Sequence, residues 1–101
     1  MASFIKVAKV ADLADGTAKL VEAGGKQIAL FNVGGKLYAI DNTCKHRGGP
    51  LAEGEIDGTT VICPWHGWEY DITTGANLDD ASVKLGCYQV KTEGDEVLVE
   101  A

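Results

Sequence analysis

The sequence predicts an all-β fold with little helix, and three observations carry that reading. Short β-rich runs recur with glycine at their borders. Gly34-Gly35 sits between two such runs as a hairpin turn. The one stretch of helical character, Val10-Ala11-Asp12-Leu13-Ala14, is too short to be stable beyond a single turn. In chain order the runs are Phe4–Val10, Thr17–Glu22, Gln27–Val33, Lys36–Asp41, Thr59–Cys63, Trp68–Asp71, Cys87–Thr92 and Glu96–Glu100, which makes seven or eight strands. A two-residue hairpin turn needs positive φ, which glycine adopts without steric penalty, so Gly34-Gly35 joins its neighbours antiparallel. Gly24-Gly25 and Gly94 mark similar turns, and 13 glycines in all, nearly twice the usual share, suit a chain of many turns.

A length of 101 residues accommodates one compact domain, residues 1–101, and not two. No stretch approaches the ~18 consecutive apolar residues of a membrane span, and Met1-Ala2-Ser3-Phe4-Ile5-Lys6 lacks a basic segment followed by an apolar run. A soluble, cytoplasmic protein is expected, with no membrane partner. The net charge of −6 argues against nucleic acid, whose phosphates reward a basic face. Residues 51–80 hold the excess: Glu53, Glu55, Asp57, Glu69, Asp71, Asp79 and Asp80 stand there without a single Lys or Arg. Such a block either solubilises or steers a basic partner. There is no internal repeat, low-complexity tract or linker. Residues 42–80 nevertheless contain both prolines, both histidines, both tryptophans and two of the three cysteines, so chemistry is concentrated in an insertion between simple strands.

Three cysteines without a secretory signal do not suggest a disulfide framework; metal binding or catalysis fits better. Cys44-Lys45-His46 and Cys63-Pro64-Trp65-His66 each offer one thiolate and one imidazole, and sixteen residues, Arg47 to Ile62, separate them. Thiolate and imidazole suit zinc, copper and iron–sulfur centres alike, so residue type does not choose the metal. Zinc fingers usually pair Cys with Cys and His with His. Here the two types alternate.

The pattern C-x-H, sixteen residues, C-x₂-H, followed by Gly67, resembles the Rieske [2Fe–2S] signature, in which two cysteines hold one iron and two histidines the other. The resemblance extends through Cys44-Lys45-His46-Arg47-Gly48-Gly49-Pro50-Leu51, Gly54-Glu55 and Cys63-Pro64-Trp65-His66-Gly67-Trp68-Glu69-Tyr70-Asp71, and covers roughly residues 3–100. It implies an all-β, Rieske-type antiparallel β-sandwich with an inserted cluster-binding subdomain at about 42–80. It also implies one [2Fe–2S] cluster per chain on Cys44, His46, Cys63 and His66. Gly48, Gly49 and Gly67 would let backbone N–H groups approach cluster sulfurs, or would simply turn the chain. Pro64 and Pro50 would stiffen the ligand loops.

Replacing two thiolates by neutral imidazoles makes the cluster easier to reduce. The family ranges imply about 250 mV or more over a four-cysteine plant-type centre, about 6 kcal/mol for one electron. High-potential relatives add a disulfide beside the cluster and Ser and Tyr donors to sulfur. Gly49 and Trp65 occupy the extra-cysteine positions here, Trp68 stands where the Ser would be, and Tyr70 matches the Tyr. A low-potential, ferredoxin-type centre follows, raised somewhat if Tyr70 donates. Related domains often cover the cluster with a proline-rich loop, yet Asn77-Leu78-Asp79-Asp80-Ala81-Ser82-Val83 has no proline to supply that rigidity. Cys87 reads as a structural thiol. Trp65 either shields the centre or lines the face where electrons leave, and Lys45 and Arg47 are candidates for orienting a partner.

The resemblance implies a one-electron carrier rather than an enzyme: a small ferredoxin moving electrons from a flavin-dependent reductase to a terminal oxygenase. A terminal oxygenase itself needs a second domain with mononuclear iron, for which no histidine remains. Two alternatives stand beside it. One is the Rieske small subunit of an assimilatory nitrite reductase, bound to its large subunit; the other is a structural zinc-binding interaction domain on the same four residues. Iron-bound histidines with exposed outer nitrogens would also make the potential fall as pH rises.

Overall fold

The computed structural model describes residues 4–43, 49–65, 67–80 and 82–100. Ten strands are present among them: β1 (Phe4–Lys9), β2 (Thr17–Ala23), β3 (Lys26–Val33), β4 (Lys36–Asp41), β5 (Glu55–Asp57), β6 (Thr60–Ile62), β7 (Glu69–Asp71), β8 (Cys87–Tyr88), β9 (Val90–Glu93) and β10 (Glu96–Glu100). Short 3₁₀ turns occupy Val10–Asp12 and Leu51–Glu53. The nearly all-β fold agrees with the expectation from sequence. No helix among the described residues is long and apolar enough to cross a membrane.

The strands form three antiparallel sheets, β1-β10-β9, β2-β3-β4-β8 and β5-β6-β7. The β2-β3-β4-β8 sheet is the middle layer, and β3 shows why. Ile28, Ala29, Leu30 and Phe31 are all fully buried, although successive side chains on a strand point to opposite faces. Ile28 and Leu30 pack with Ala8, Val97 and Val99 of the β1-β10-β9 sheet, while Ala29 and Phe31 pack with Leu51, Val61, Cys63, Tyr70 and Ile72 of the inserted part. One strand therefore anchors two cores, and the core beneath the insertion is the one that contains Cys63.

The β3–β4 hairpin has the register its sequence dictates, Val33 opposite Lys36, with Gly34 and Gly35 at φ 62° and 88°. That is a turn with two consecutive residues at positive φ, whose twist matches the flanking strands.

Two features depart from the sequence reading. The run Cys87–Thr92 is two strands, because Cys87 and Tyr88 pair with β4 while Val90–Glu93 pairs with β10. The chain crosses between sheets at Gln89, whose carbonyl accepts from the Glu100 N–H. Glu55–Asp57 is an additional strand; with one apolar residue among three, between Gly54 and Gly58, it carries no alternation to detect.

Candidate metal centre

The first Cys-and-His segment joins Thr43 to Pro50, which form an isolated antiparallel bridge across its mouth. Asn42 holds that mouth: its N–H donates to the Gln27 carbonyl (3.1 Å), its carbonyl accepts from Leu51 N–H (2.7 Å), and its side-chain Oδ1 accepts from Ala52 N–H (2.8 Å). Asn42 itself is buried, so its polar groups rely on these bonds rather than on water. Asp41 ties the same segment to the far edge of the sheet. Its carboxylate accepts from Gly86 N–H (2.7 Å) and from the Tyr88 hydroxyl (2.5 Å). Burial, then the hydrogen bond and charge of Asp41, push the Tyr88 phenol up to about 12.

The second loop closes where Cys63 N–H donates to the Trp68 carbonyl (2.7 Å) and Gly67 N–H donates to the Cys63 carbonyl (3.1 Å). This turn holds Gly67 at φ +79°, a conformation L side chains rarely adopt. Gly49 is the opposite case. A Cβ at Gly49 would lie 2.6 Å from Cys63 Sγ, a separation real side chains essentially never show, and a tight 3.2 Å from Cγ of Trp65. The backbone of the first loop is thus pressed against the sulfur of the second. Cys63 is buried, and Trp65 leaves 60% of its surface exposed beside it, at the rim. At Gly49 the first loop meets the buried thiol of the second, which fits a sulfur-rich centre held jointly by both.

Of the four expected ligands, Cys63 is placed here. Cys44, His46 and His66 lie outside the described residues, as do Lys45, Arg47 and Gly48. Tyr70 is fully buried in the cluster that contains Cys63, and Trp68 packs against that cluster.

A third loop follows β7, and side-chain hydrogen bonds stand in for the prolines it lacks. Asn77 Oδ1 accepts from the N–H groups of Asp79 (2.6 Å) and Asp80 (2.8 Å). Leu78 N–H donates to the Glu69 carbonyl (2.8 Å), and Glu69 N–H donates to Asp79 Oδ2 (3.0 Å), so the loop is bolted to the strand leaving the second Cys-and-His loop. Asp80 takes the hydroxyl (2.7 Å) and N–H (3.0 Å) of Ser82, which lower its carboxyl below its ordinary value. The residues that sequence reasoning passed over are therefore Asp41, Asn42 and Asn77. Their signal was present: Asn and Asp before a loop cap nearby N–H groups.

Cys87 lies on β8, opposite Ile40, with its thiol directed to the Thr73 carbonyl (3.5 Å). Burial pushes that thiol up, opposed by the charge of Lys84 and reinforced by that of Asp71.

Known proteins resemble the chain over nearly its whole length. Ferredoxin CarAc of Metapseudomonas resinovorans is 34% identical over 98 residues, 95% of this chain and 92% of the relative. The ferredoxin component of biphenyl 2,3-dioxygenase from Rhodococcus jostii is 38% identical over 96 residues, covering 94% and 90%. Among solved structures, a chain from the complex of reduced oxygenase and oxidized ferredoxin in carbazole 1,9a-dioxygenase matches with a TM-score of 0.88 and 33% identity, covering 96% of this chain and 92% of that one. A putative NADH-dependent nitrite reductase small subunit from Mycobacterium tuberculosis matches at a TM-score of 0.92 but 21% identity, over 100% of this chain and 96% of that one, a likeness of fold. The family model for the Rieske [2Fe–2S] domain spans residues 3–89, so both Cys-and-His segments and the close approach of Gly49 to Cys63 fall within it, and the chain belongs to the Rieske [2Fe–2S] family.

Proposed function

We propose that this chain is a cytoplasmic one-electron carrier, a Rieske-type ferredoxin that receives electrons from a flavin-dependent reductase and delivers them to a terminal oxygenase. Cys44, His46, Cys63 and His66 hold one [2Fe–2S] cluster in a single domain, residues 1–101, with about 42–80 as the cluster-binding part. The carrying observation is the close approach of Gly49 to Cys63 Sγ, which joins the described ends of the two Cys-and-His loops. The names of the relatives support the choice of partner: one is the ferredoxin component of biphenyl 2,3-dioxygenase, and one solved structure is a complex of oxygenase and ferredoxin in carbazole 1,9a-dioxygenase.

When bound, the cluster supplies a reversible one-electron couple. The chain's own residues do the rest. Asn42 and the Thr43–Pro50 bridge fix the span of the first loop, and the Cys63–Trp68 closure fixes the second. Trp65 presents a flat apolar surface beside the centre, suited to a brief contact with another protein.

Redox-titrated electron paramagnetic resonance, combined with iron and labile-sulfide assays, tests the reading. Two irons and two sulfides per chain with a spin signal after dithionite are expected. One zinc in a colourless protein would establish the structural alternative. Tight co-purification with a large flavin and haem subunit would instead favour the nitrite reductase role, whereas a ferredoxin binds its reductase reversibly and in a salt-sensitive manner.

A further inference from the structure

Asn42 and the Thr43–Pro50 bridge close the first Cys-and-His loop upon itself, and the Cys63 and Gly67 N–H groups close the second through the Trp68 and Cys63 carbonyls. None of these bonds crosses from one loop to the other. The approach at Gly49 does cross, and two side chains of the second loop meet it there. The point where a Gly49 Cβ would stand is 2.6 Å from Cys63 Sγ, 3.2 Å from Trp65 Cγ and 3.3 Å from Trp65 Cδ2. Sulfur and indole thus converge on one backbone position. They differ in depth: Cys63 is buried, while Trp65 is the most exposed of the large apolar side chains among the described residues. The ring is therefore the outer of the two, seated by its Cγ–Cδ2 edge on Gly49, and the thiol is the inner one.

We propose that Trp65 is a clasp for the metal centre: its ring, seated on the Gly49 backbone, holds the first loop against the second, covers the buried sulfur from outside, and so sets how long the cluster is retained. The inference rests on the cluster reading above. A centre held jointly by two loops is released when the loops part, and parting them here requires the ring to leave Gly49. That step returns to water the apolar surface that ring and glycine cover, which is unfavourable. Trp65 is then a positioning residue and not a ligand, because it acts on the cluster through the loops. Gly49 completes the clasp, since a Cβ there would hold the ring and the sulfur away.

The test follows the loss of visible absorbance from oxidised holoprotein in excess EDTA, for the wild type and for three variants. Trp65→Ala removes the seat and is expected to lose its cluster about tenfold faster, the factor that burying about two CH₂ groups' worth of apolar surface supplies. The Leu51 and Cys63 amides, whose bonds close the separate loops, should stay protected from hydrogen exchange in that variant. Trp65→Phe keeps ring atoms at the two contacting positions and should retain the cluster at close to the wild-type rate. Trp65→Leu, apolar but without a ring, should fall between them, and it carries the test if Trp65→Ala yields no folded protein. Loss at the wild-type rate from both Trp65→Ala and Trp65→Leu overturns the proposal. Loss from Trp65→Phe as fast as from Trp65→Leu, or faster loss accompanied by unprotected Leu51 and Cys63 amides, overturns it as well. In each of those cases the wild type keeps its iron and its spin signal, and the carrier reading stands. Wild-type protein without iron overturns the carrier reading, and the clasp with it.

Discussion

Gly49 shows how a single missing carbon sets the geometry of the site. With 2.6 Å between a would-be Cβ and Cys63 Sγ, Gly49→Ala must push the two loops apart. The variant is expected to keep its far-UV circular dichroism and lose most of its iron and labile sulfide, as measured on the purified protein; full cluster content would contradict the tight fit. Tyr88 gives the pH dependence. Its phenol titrates near 10 when unfolded and at about 12 when folded, because burial and Asp41 disfavour the phenolate. The resulting stabilisation is fully present below pH about 10 and is lost as pH rises towards 12. Urea midpoints between pH 10 and 12 should therefore fall more steeply for the wild type than for Tyr88→Phe, and parallel curves would exclude the coupling.

Among elements, β3 separates stability from site integrity. Leu30 faces the core beneath the β1-β10-β9 sheet and Phe31 the core shared with Cys63, though they are neighbours in sequence. Leu30→Ala should cost about 2–5 kcal/mol and Phe31→Ala about 3–5 kcal/mol in urea unfolding, through the cavities they leave. Phe31→Ala alone should also change the spin signal of the reduced protein; equal spectra in both variants would contradict the two-core division. The run Ile28-Ala29-Leu30-Phe31 announces a strand buried on both faces, since alternation is absent where neither side meets water. The hairpin at Gly34-Gly35 and the boundaries of Lys36–Asp41 are equally local, and the structure reproduces them. By contrast, the break at Gln89 has no local cause. It exists because one extended segment serves two sheets.

At the scale of the whole molecule, charge is the dominant property. A net charge of −6, with seven carboxylates and no cation in residues 51–80, gives a field that screening reaches easily. Electron delivery to a basic partner should slow about tenfold or more as ionic strength rises from about 0.01 to 0.15 M, the Debye length shrinking from about 30 to 8 Å. Stopped-flow reoxidation measures this, and a rate indifferent to salt would remove the steering role. The all-β class, the turns and the two Cys-and-His loops with their spacing were settled by sequence alone, because strand periodicity, glycine's freedom at positive φ and ligand chemistry are local properties of residues. Tertiary structure alone decided that Gly49 abuts Cys63, that Asn42 and Asp41 brace the first loop, and that Asn77 pairs with Tyr70. Those depend on which surfaces three packed sheets bring within van der Waals and hydrogen-bonding range, between residues far apart along the chain.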